Sequence, residues 1–347
     1  MMNFDKIDAM LITSHENVRY ITGFSGSAGV CIVFPDKKYL LTDFRYKEQS
    51  HLQSPDCEIV IVKGKYSTAV KEITEREKAK TLGFEPESLS YAEYISYSDT
   101  AENFVPYGDF TKNLRIIKTA EELENIKTAA DIASDALLET LPLIGEGVSE
   151  LDIAAELDFR MRKHGASGNS FDTIAIGGKN SSVVHGTPGE YKLRCGDFLL
   201  IDFGCVYKGY CSDMTRTFAV GEISRRQREV YNTVLCAQEA ALSALKPGAA
   251  AADVDKIARD IIEEAGFGDN FGHALGHGVG LQIHEPPTMN PKSDTVFAPG
   301  MTVTVEPGIY LEGEFGVRIE DLIVITDNFH QNLCQKIKKE VIYIRKL

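Results

Sequence analysis

The most constraining feature of this chain is a pair of apolar runs that each end in a carboxylate. LLID ends at Asp202 and TVTVE ends at Glu306, and both runs have the composition of buried strands. A carboxylate at the end of a buried strand is costly to keep charged unless it meets a cation, hydrogen-bond donors or a metal ion. The chain must therefore fold so that both side chains reach compensating groups.

Three further polar residues lie in short segments typical of strands or glycine-rich turns. Asp213 lies in CSDMTRTF, His277 in GHALGHGVGLQIHE and Glu320 in GVRIED. With Asp202 and Glu306 they make four carboxylates and one imidazole, and a formal charge of about −4 is one that two divalent ions would balance. The sequence predicts that these five residues form a metal site.

Hairpin geometry supports the prediction for the two aspartates. The run LLIDFGCVYKGYCSDMTRTF is typical of two strands around a turn at Lys208-Gly209. That turn sets Asp213 opposite Gly204, which shares a strand face with Asp202 because side chains alternate. The aspartates are then diagonal neighbours, with Cα atoms roughly 7–8 Å apart. A slip of one residue would put them on opposite faces.

The other candidate residues carry weaker signals. Arg318 is two residues before Glu320 on one predicted strand, so the two should share a face, whereas Glu285 and Asp321 should point away from the site. His273 could either support the site or be structural. Four carboxylates and one nitrogen make a hard ligand set, which suits manganese, cobalt or iron, with zinc possible; magnesium alone suits it less well because it keeps several waters.

Composition and charge bound the class of protein. The chain has 347 residues, enough for two domains, and its formal net charge of −14 argues against nucleic acid or an anionic membrane as the main partner. Its 7 cysteines include no C-x-x-C pair, which favours a reducing compartment. The N-terminus lacks the basic start and apolar core of a signal peptide. We therefore expect a cytoplasmic protein.

The pattern of elements predicts a domain boundary near residue 112. Residues 1–112 are typical of a small α/β domain, in which residues 17–29 (NVRYITGFSGSAG) are predicted to be a loop. Residues 113–347 should form a second domain, and its first helix should begin at a capping box made by Thr119 and Glu122. Within it, two helix pairs that end at Gly165 and Gly266 each precede strand-rich sequence, which indicates two related halves.

With these residues in view, the chain resembles the pita-bread metallopeptidase family, in its Xaa-Pro aminopeptidase and Xaa-Pro dipeptidase (prolidase) branch. The similarity covers nearly the whole chain, and the segments that carry it occur in the family's order: NVRYITGFSGSAG, LRIIKTAEELE, LLIDFG, CSDMTRTF, GHGVGLQIHE, TVTVEPGIY and GVRIED. The resemblance implies an α+β protein with a smaller N-terminal α/β (creatinase-like) domain. It also implies a C-terminal pita-bread domain with pseudo-twofold halves.

The resemblance also implies a role for each metal-binding residue. Asp202 would bind one metal ion, and His277 and Glu306 would bind the other. Asp213 and Glu320 would bridge the two ions.

Four residues would act in catalysis. His185 and His284 would hold the substrate and the tetrahedral intermediate. Arg318 would orient the ligands or the substrate, and Glu306 would carry a proton to the proline nitrogen.

The activity implied is hydrolysis of the Xaa-Pro bond at the N-terminus of peptides, with two divalent metal ions, manganese foremost. A dipeptidase acting on Xaa-Pro dipeptides is the alternative. Some prolidase-like members carry Arg four residues after the second catalytic histidine, where this chain has Thr288, and that difference weakens strict dipeptide specificity. The family also implies a homodimer.

Three other interpretations use the same fold. A methionine aminopeptidase shares the ligand set but generally lacks an N-terminal domain like residues 1–112. A metal-free amidinohydrolase such as creatinase lacks the ligands that are all present here. A non-catalytic binding module is disfavoured by the same intact ligands.

Overall fold

The computed structural model describes residues 4–344. The chain divides into two compact units, Met1–Arg115 and Ile116–Leu347. Among the described residues, no helix combines the length and the apolar composition needed to span a membrane.

The first unit is a six-stranded mixed sheet with helices. Its strands are β1 (Ala9–Ile12), β2 (Gly29–Val33), β3 (Lys38–Thr42), β4 (Glu58–Ile61), β5 (Thr81–Phe84) and β6 (Asn103–Pro106). Its α-helices are α1 (His15–Thr22), α2 (Lys47–Gln53), α3 (Tyr66–Glu77), α4 (Tyr91–Tyr97) and α5 (Asp109–Arg115). The strand order is β4-β3-β2-β1-β5-β6. Two apolar clusters, one containing Leu11 and Val70 and the other Ile12 and Phe24, form its core.

One prediction for this unit is wrong. Residues 17–29 were expected to form a loop, yet helix α1 runs to Thr22. The Ser14 side chain caps its N-terminus, and Val18 and Ile21 are buried. Only the part after Gly23, where φ is +79°, has the irregular backbone that its glycines and serines indicate. Burial of one helical face outweighed the turn-like composition of the segment.

The described residues of the second unit, 116–344, form four long helices and four sheets. Its α-helices are α6 (Ala120–Thr140), α7 (Glu150–Lys163), α8 (Arg225–Ala244) and α9 (Ala251–Glu264). Its strands are β7 (Gly168–Asn169), β8 (Ile174–Gly177), β9 (Phe198–Phe203), β10 (Cys205–Tyr207), β11 (Tyr210–Cys211), β12 (Met214–Val220), β13 (Gly276–Gly278), β14 (Glu285–Met289), β15 (Thr302–Val305), β16 (Gly308–Leu311), β17 (Phe315–Arg318), β18 (Asp321–Ile325), β19 (His330–Asn332) and β20 (Ile342–Ile344). The two larger sheets have the orders β20-β12-β9-β8 and β14-β13-β15-β18-β19.

The two halves of this unit repeat one arrangement of helices. Helix α6 begins at the predicted capping box of Thr119 and Glu122. Helices α7 and α9 each have 14 residues. Each is followed by a glycine of positive φ, Gly165 at +104° and Gly266 at +84°. One core cluster surrounds α6 and α7, and a second surrounds α8 and α9. The predicted two-part organisation of the helices is confirmed.

The hairpin that carries Asp202 and Asp213 has the predicted register. Thr215 pairs with Asp202 across β12 and β9, and Tyr207 pairs with Tyr210 at the end of the hairpin. Lys208 and Gly209 both have positive φ, 46° and 85°, which is the signature of a type I′ turn. Asp213, two residues before Thr215, is therefore a diagonal neighbour of Asp202.

The second pair of acids lies on the other large sheet. Val305 pairs with Asp321 across β15 and β18, so Glu306 and Glu320 both lie just beyond the same end of this ladder. The predicted single strand GVRIED is split, because β17 ends at Arg318 and β18 begins at Asp321. Glu320 lies in this break, where its N–H donates to the Thr215 carbonyl of the first half. That bond joins the two sheets beside the acids.

Candidate metal centre

Three of the predicted ligands lie within reach of one ion. One ligand atom each from Asp213, His277 and Glu320 lies within 4.8 Å of the others. Asp213 comes from the first half of the second unit, whereas His277 and Glu320 come from the second half. The cluster therefore forms where the two halves face each other.

Glu306 and Asp202 complete the group. His277 Nε2 lies 3.3 Å from Glu306 Oε1 and 3.6 Å from Asp213 Oδ2. Asp202 accepts a hydrogen bond of 2.5 Å from Arg318 Nη2. All five predicted ligands line one pocket of 440 Å³.

The backbone fixes the orientation of His277. Its Nδ1 lies 3.1 Å from the Gly278 carbonyl and must donate to it, because a carbonyl oxygen can only accept. In the neutral ring, Nε2 then carries the lone pair that faces the carboxylates. Glycine flanks His277 on both sides because neighbouring backbone packs closely against β13. A Cβ at Gly276 would lie 2.0 Å from the Thr304 carbonyl oxygen.

Burial and like charge oppose ionisation of two of the acids. Burial raises the pKa of Asp213 well above its usual range, and the charges of Glu320, Asp202 and Glu306 raise it further. The pKa of Glu320 is raised in the same way, first by burial and then by Glu306 and Asp202. Such a cluster holds excess negative charge that a bound cation would relieve.

Glu306 and His277 shift each other's pKa in opposite directions. Burial alone would raise the pKa of Glu306, but the hydrogen bond and charge of His277 bring it down to about 2. Burial would lower the pKa of His277, and the hydrogen bond and charge of Glu306 raise it above its ordinary value instead.

The residues fit a divalent metal ion. Asp202 Oδ1 is buried and accepts no hydrogen bond from any of residues 4–344. A buried carboxylate oxygen without a donor is costly, and coordination by a cation would satisfy it. The donor set of carboxylate oxygens and one imidazole nitrogen suits hard or borderline divalent metals.

Two threonines that the sequence analysis missed hold the acids in place. Thr215 donates to Glu320 Oε2 at 2.6 Å, and Thr304 donates to Glu306 Oε1 at 3.0 Å. Each threonine lies two residues along the chain from a predicted ligand, Asp213 or Glu306. The alternation of side chains in strands could have found both, because i and i+2 share a face.

Arg318 is buried and lines the pocket. Its guanidinium donates to Asp202, to the Tyr310 hydroxyl at 2.6 Å and to Thr215 Oγ1 at 3.0 Å. Tyr310 also lies 3.1 Å from His273 Nε2. His273 lines the pocket, and burial lowers its pKa.

The two histidines proposed for catalysis line the same pocket. The ring of His284 meets that of His277 edge to face, with centroids 4.4 Å apart. Burial, and then the charge of His277, lowers the pKa of His284. His185 is exposed and lies in a loop that also lines the pocket.

Two acids predicted to point away from the site do so. Glu285 forms an ion pair of 2.9 Å with Lys118. Asp321 forms an ion pair of 2.7 Å with the buried Arg216 and accepts from Gln238. Neither Glu285 nor Asp321 lines the pocket.

Comparison with known proteins identifies the family. The model of metallopeptidase family M24 matches residues 124–327, and the model of the creatinase/prolidase N-terminal domain matches residues 1–117. The Xaa-Pro dipeptidase of Pyrococcus furiosus is 39% identical, over 96% of this chain and 95% of that protein.

Solved structures agree. The Xaa-Pro dipeptidase from Bacillus anthracis superimposes with a TM-score of 0.94 at 43% identity, covering 97% of this chain and 95% of that one. The X-Pro aminopeptidase from Thermotoga maritima gives 0.90 at 37% identity, covering 97% and 98%. The expected α+β fold, with a creatinase-like N-terminal domain and a pita-bread domain, is confirmed. This chain is an enzyme, a hydrolase that belongs to metallopeptidase family M24.

Proposed function

We propose that this enzyme hydrolyses the Xaa-Pro bond at the N-terminus of peptides, using two divalent metal ions, manganese foremost. The observation that carries the proposal is the convergence of four carboxylates and His277 on one open pocket. Relatives named Xaa-Pro dipeptidase and X-Pro aminopeptidase support the same substrate class.

Each ligand would keep the role expected from the family. Asp202 would hold one ion, His277 and Glu306 the other, and Asp213 and Glu320 would bridge them. When bound, the ions supply Lewis acidity that lowers the pKa of a bound water and polarises the scissile carbonyl. Manganese, cobalt, iron and zinc are all compatible with the donor set.

The remaining residues bind the substrate and move protons. His284 and His185 would donate N–H groups to the oxygen that becomes negative as the carbonyl is attacked. Glu306 would pass a proton to the departing proline nitrogen. Arg318 would act on the ligand Asp202, which it holds through a charge-assisted hydrogen bond.

An apolar wall of the pocket suits the proline ring. Phe171, Ile174, Val184 and Ile283 line it beside the acids. An Xaa-Pro bond has no N–H for a peptidase to grip, so shape and metal activation must replace that hydrogen bond.

Peptides longer than two residues are the preferred substrates in this proposal. A dipeptide presents its C-terminal carboxylate to the pocket, and Arg318, the one Lys or Arg among the described pocket residues, already binds Asp202. Thr288 adds no cation. Dipeptidase action is the second candidate, since the Pyrococcus furiosus and Bacillus anthracis relatives are named Xaa-Pro dipeptidases.

A substrate panel tests the proposal. Enzyme loaded with manganese, cobalt or zinc would be assayed on Met-Pro, Met-Pro-Ala and Met-Ala-Ser, with chelator-treated enzyme as the control. We expect cleavage of Met-Pro-Ala above Met-Pro and none of Met-Ala-Ser. Preference for Met-Pro would establish the dipeptidase, and cleavage of Met-Ala-Ser alone would contradict the Xaa-Pro proposal. The homodimer and the cytoplasmic location stay predictions.

A further inference from the structure

We propose that Glu150 is a positioning residue that fixes the pocket wall carrying His185. The inference rests on the proposed function for its kinetic consequences. Its structural basis is independent of that function, because it concerns how residues 177–189 are held.

Glu150 binds both ends of this segment. It is the first residue of α7 and has no exposed surface. Its Oε1 accepts from the Gly177 N–H at 2.7 Å and from Asn180 Nδ2 at 2.9 Å, where the segment begins. Its Oε2 accepts from the Gly189 N–H at 2.9 Å, where the segment ends. One carboxylate therefore closes the loop.

The segment between these two anchors forms one wall of the catalytic pocket. Residues 184–188 all line that pocket, and His185 is among them. Glu150 does not line it but borders a smaller cavity of 320 Å³ on the other side of the wall. It therefore acts on the substrate only through the loop that it holds.

The three donors require an acceptor at both oxygens. An ionised carboxylate offers lone pairs on each oxygen and no proton, so it can satisfy all three at once. Glutamine has nearly the same shape, but its NH₂ group would face an N–H donor at one end of the loop. Whichever way the amide turns, one end of the wall loses its anchor.

The test is Glu150→Gln in the full-length, metal-loaded enzyme. Asp152→Asn is the matched control, because Asp152 also lies in the first turn of α7 and its hydrogen bonds are to Ser149 at the same helix end. Asn180→Ala removes one of the three donors from the loop side and guards against a folding failure of Glu150→Gln. Hydrogen exchange of residues 177–190, metal content, kcat and KM are measured.

For Glu150→Gln we expect faster exchange confined to residues 177–190 and unchanged metal content. We also expect kcat/KM to fall about tenfold, because that is the effect of losing one charge-assisted hydrogen bond. Asn180→Ala should also speed exchange of the segment and lower kcat/KM, but by less. Asp152→Asn should change neither the exchange nor kcat/KM. In a His185→Ala background, Glu150→Gln should cost little more, because both act through one group.

Unchanged exchange in residues 177–190, or a full additive loss in the His185→Ala background, would overturn the proposal. A wild-type enzyme that cleaves no Xaa-Pro peptide would refute the proposed function instead. The exchange measurement would then still decide the role of Glu150.

Discussion

At the scale of single residues, the buried acids of the candidate metal centre destabilise the metal-free fold. Asp213 and Glu320 are 4% and 2% exposed, and each faces other carboxylates. Burial and repulsion raise the pKa values of both, so the metal-free fold bears a cost at neutral pH that a hydrophobic or amide side chain would not. Their burial together is unfavourable for folding and is what the proposed metal-binding role would require.

That reasoning predicts opposite effects of Asp213→Asn on function and on stability. Metal content and turnover should fall, turnover by more than about a hundredfold, because the proposed bridging carboxylate is lost. The free energy of unfolding of the chelator-treated protein should rise by about 1–3 kcal/mol, since one of several like charges is removed. Metal analysis, steady-state assays and denaturant titration measure these quantities.

Glu320→Gln should behave in the same way, and the exposed Glu312→Gln serves as the control that changes neither. Full metal content and normal turnover in both ligand variants would show that these acids are not ligands.

At the scale of elements, the hairpin of β9 to β12 sets the spacing of the aspartates through its turn. Lys208 adopts a φ of +46°, a conformation that costs a residue with a Cβ roughly 1–2 kcal/mol, whereas Gly209 adopts +85° without strain. Because the register of the hairpin follows from this two-residue turn, the turn sets the geometry of the site in spite of the strain at Lys208.

Substitutions at the two turn residues should change the free energy of unfolding in opposite directions. Lys208→Asn should raise the free energy of unfolding by about 0.5–1 kcal/mol, because Asn tolerates this conformation and Asn-Gly favours a type I′ turn. Gly209→Ala should lower it by about 1 kcal/mol. Denaturant titration of both variants measures the changes, and metal content should stay at the wild-type level. A loss of stability in Lys208→Asn would mean that the contact of Lys208 with the Tyr207 ring outweighs the backbone strain.

The elements also show what the sequence could predict. The turn at Lys208-Gly209, the register of the first hairpin and the start of α6 followed from local rules of turn and cap chemistry, and the structure confirms them. The loop predicted over residues 17–29 was wrong, because burial of Val18 and Ile21 is a tertiary effect that composition does not reveal.

The surroundings of the site were harder to predict than its acids. Apolar strands that end in carboxylates are visible in the sequence, whereas the hydrogen bonds from Thr215 to Glu320 and from Arg318 to Tyr310 depend on how separate strands meet. Glu150 gave no signal at all, since its partners lie 27 to 39 residues further along the chain. The roles of the predicted site residues remain predictions until tested.

At the scale of the whole molecule, the predicted ligands all belong to one of two units with separate cores. The described part of the first unit buries two apolar clusters of its own, and the candidate metal centre lies wholly within the second unit. Since an ion that binds only the folded state stabilises the unit that holds its ligands, metal should act on the two units unequally.

Hydrogen exchange of the full-length enzyme, with and without manganese, tests this expectation. At a free manganese concentration of one hundred times its Kd, amides of β9, β12, β15 and β18 should gain about 2.7 kcal/mol of protection. The amides of β1 and β2 should gain little, because no predicted ligand lies in their unit. Asp213→Asn, treated identically, should show no gain in either unit. An equal gain in both units of the wild-type enzyme would mean that they unfold together, and the separation of their cores would then not extend to their stability.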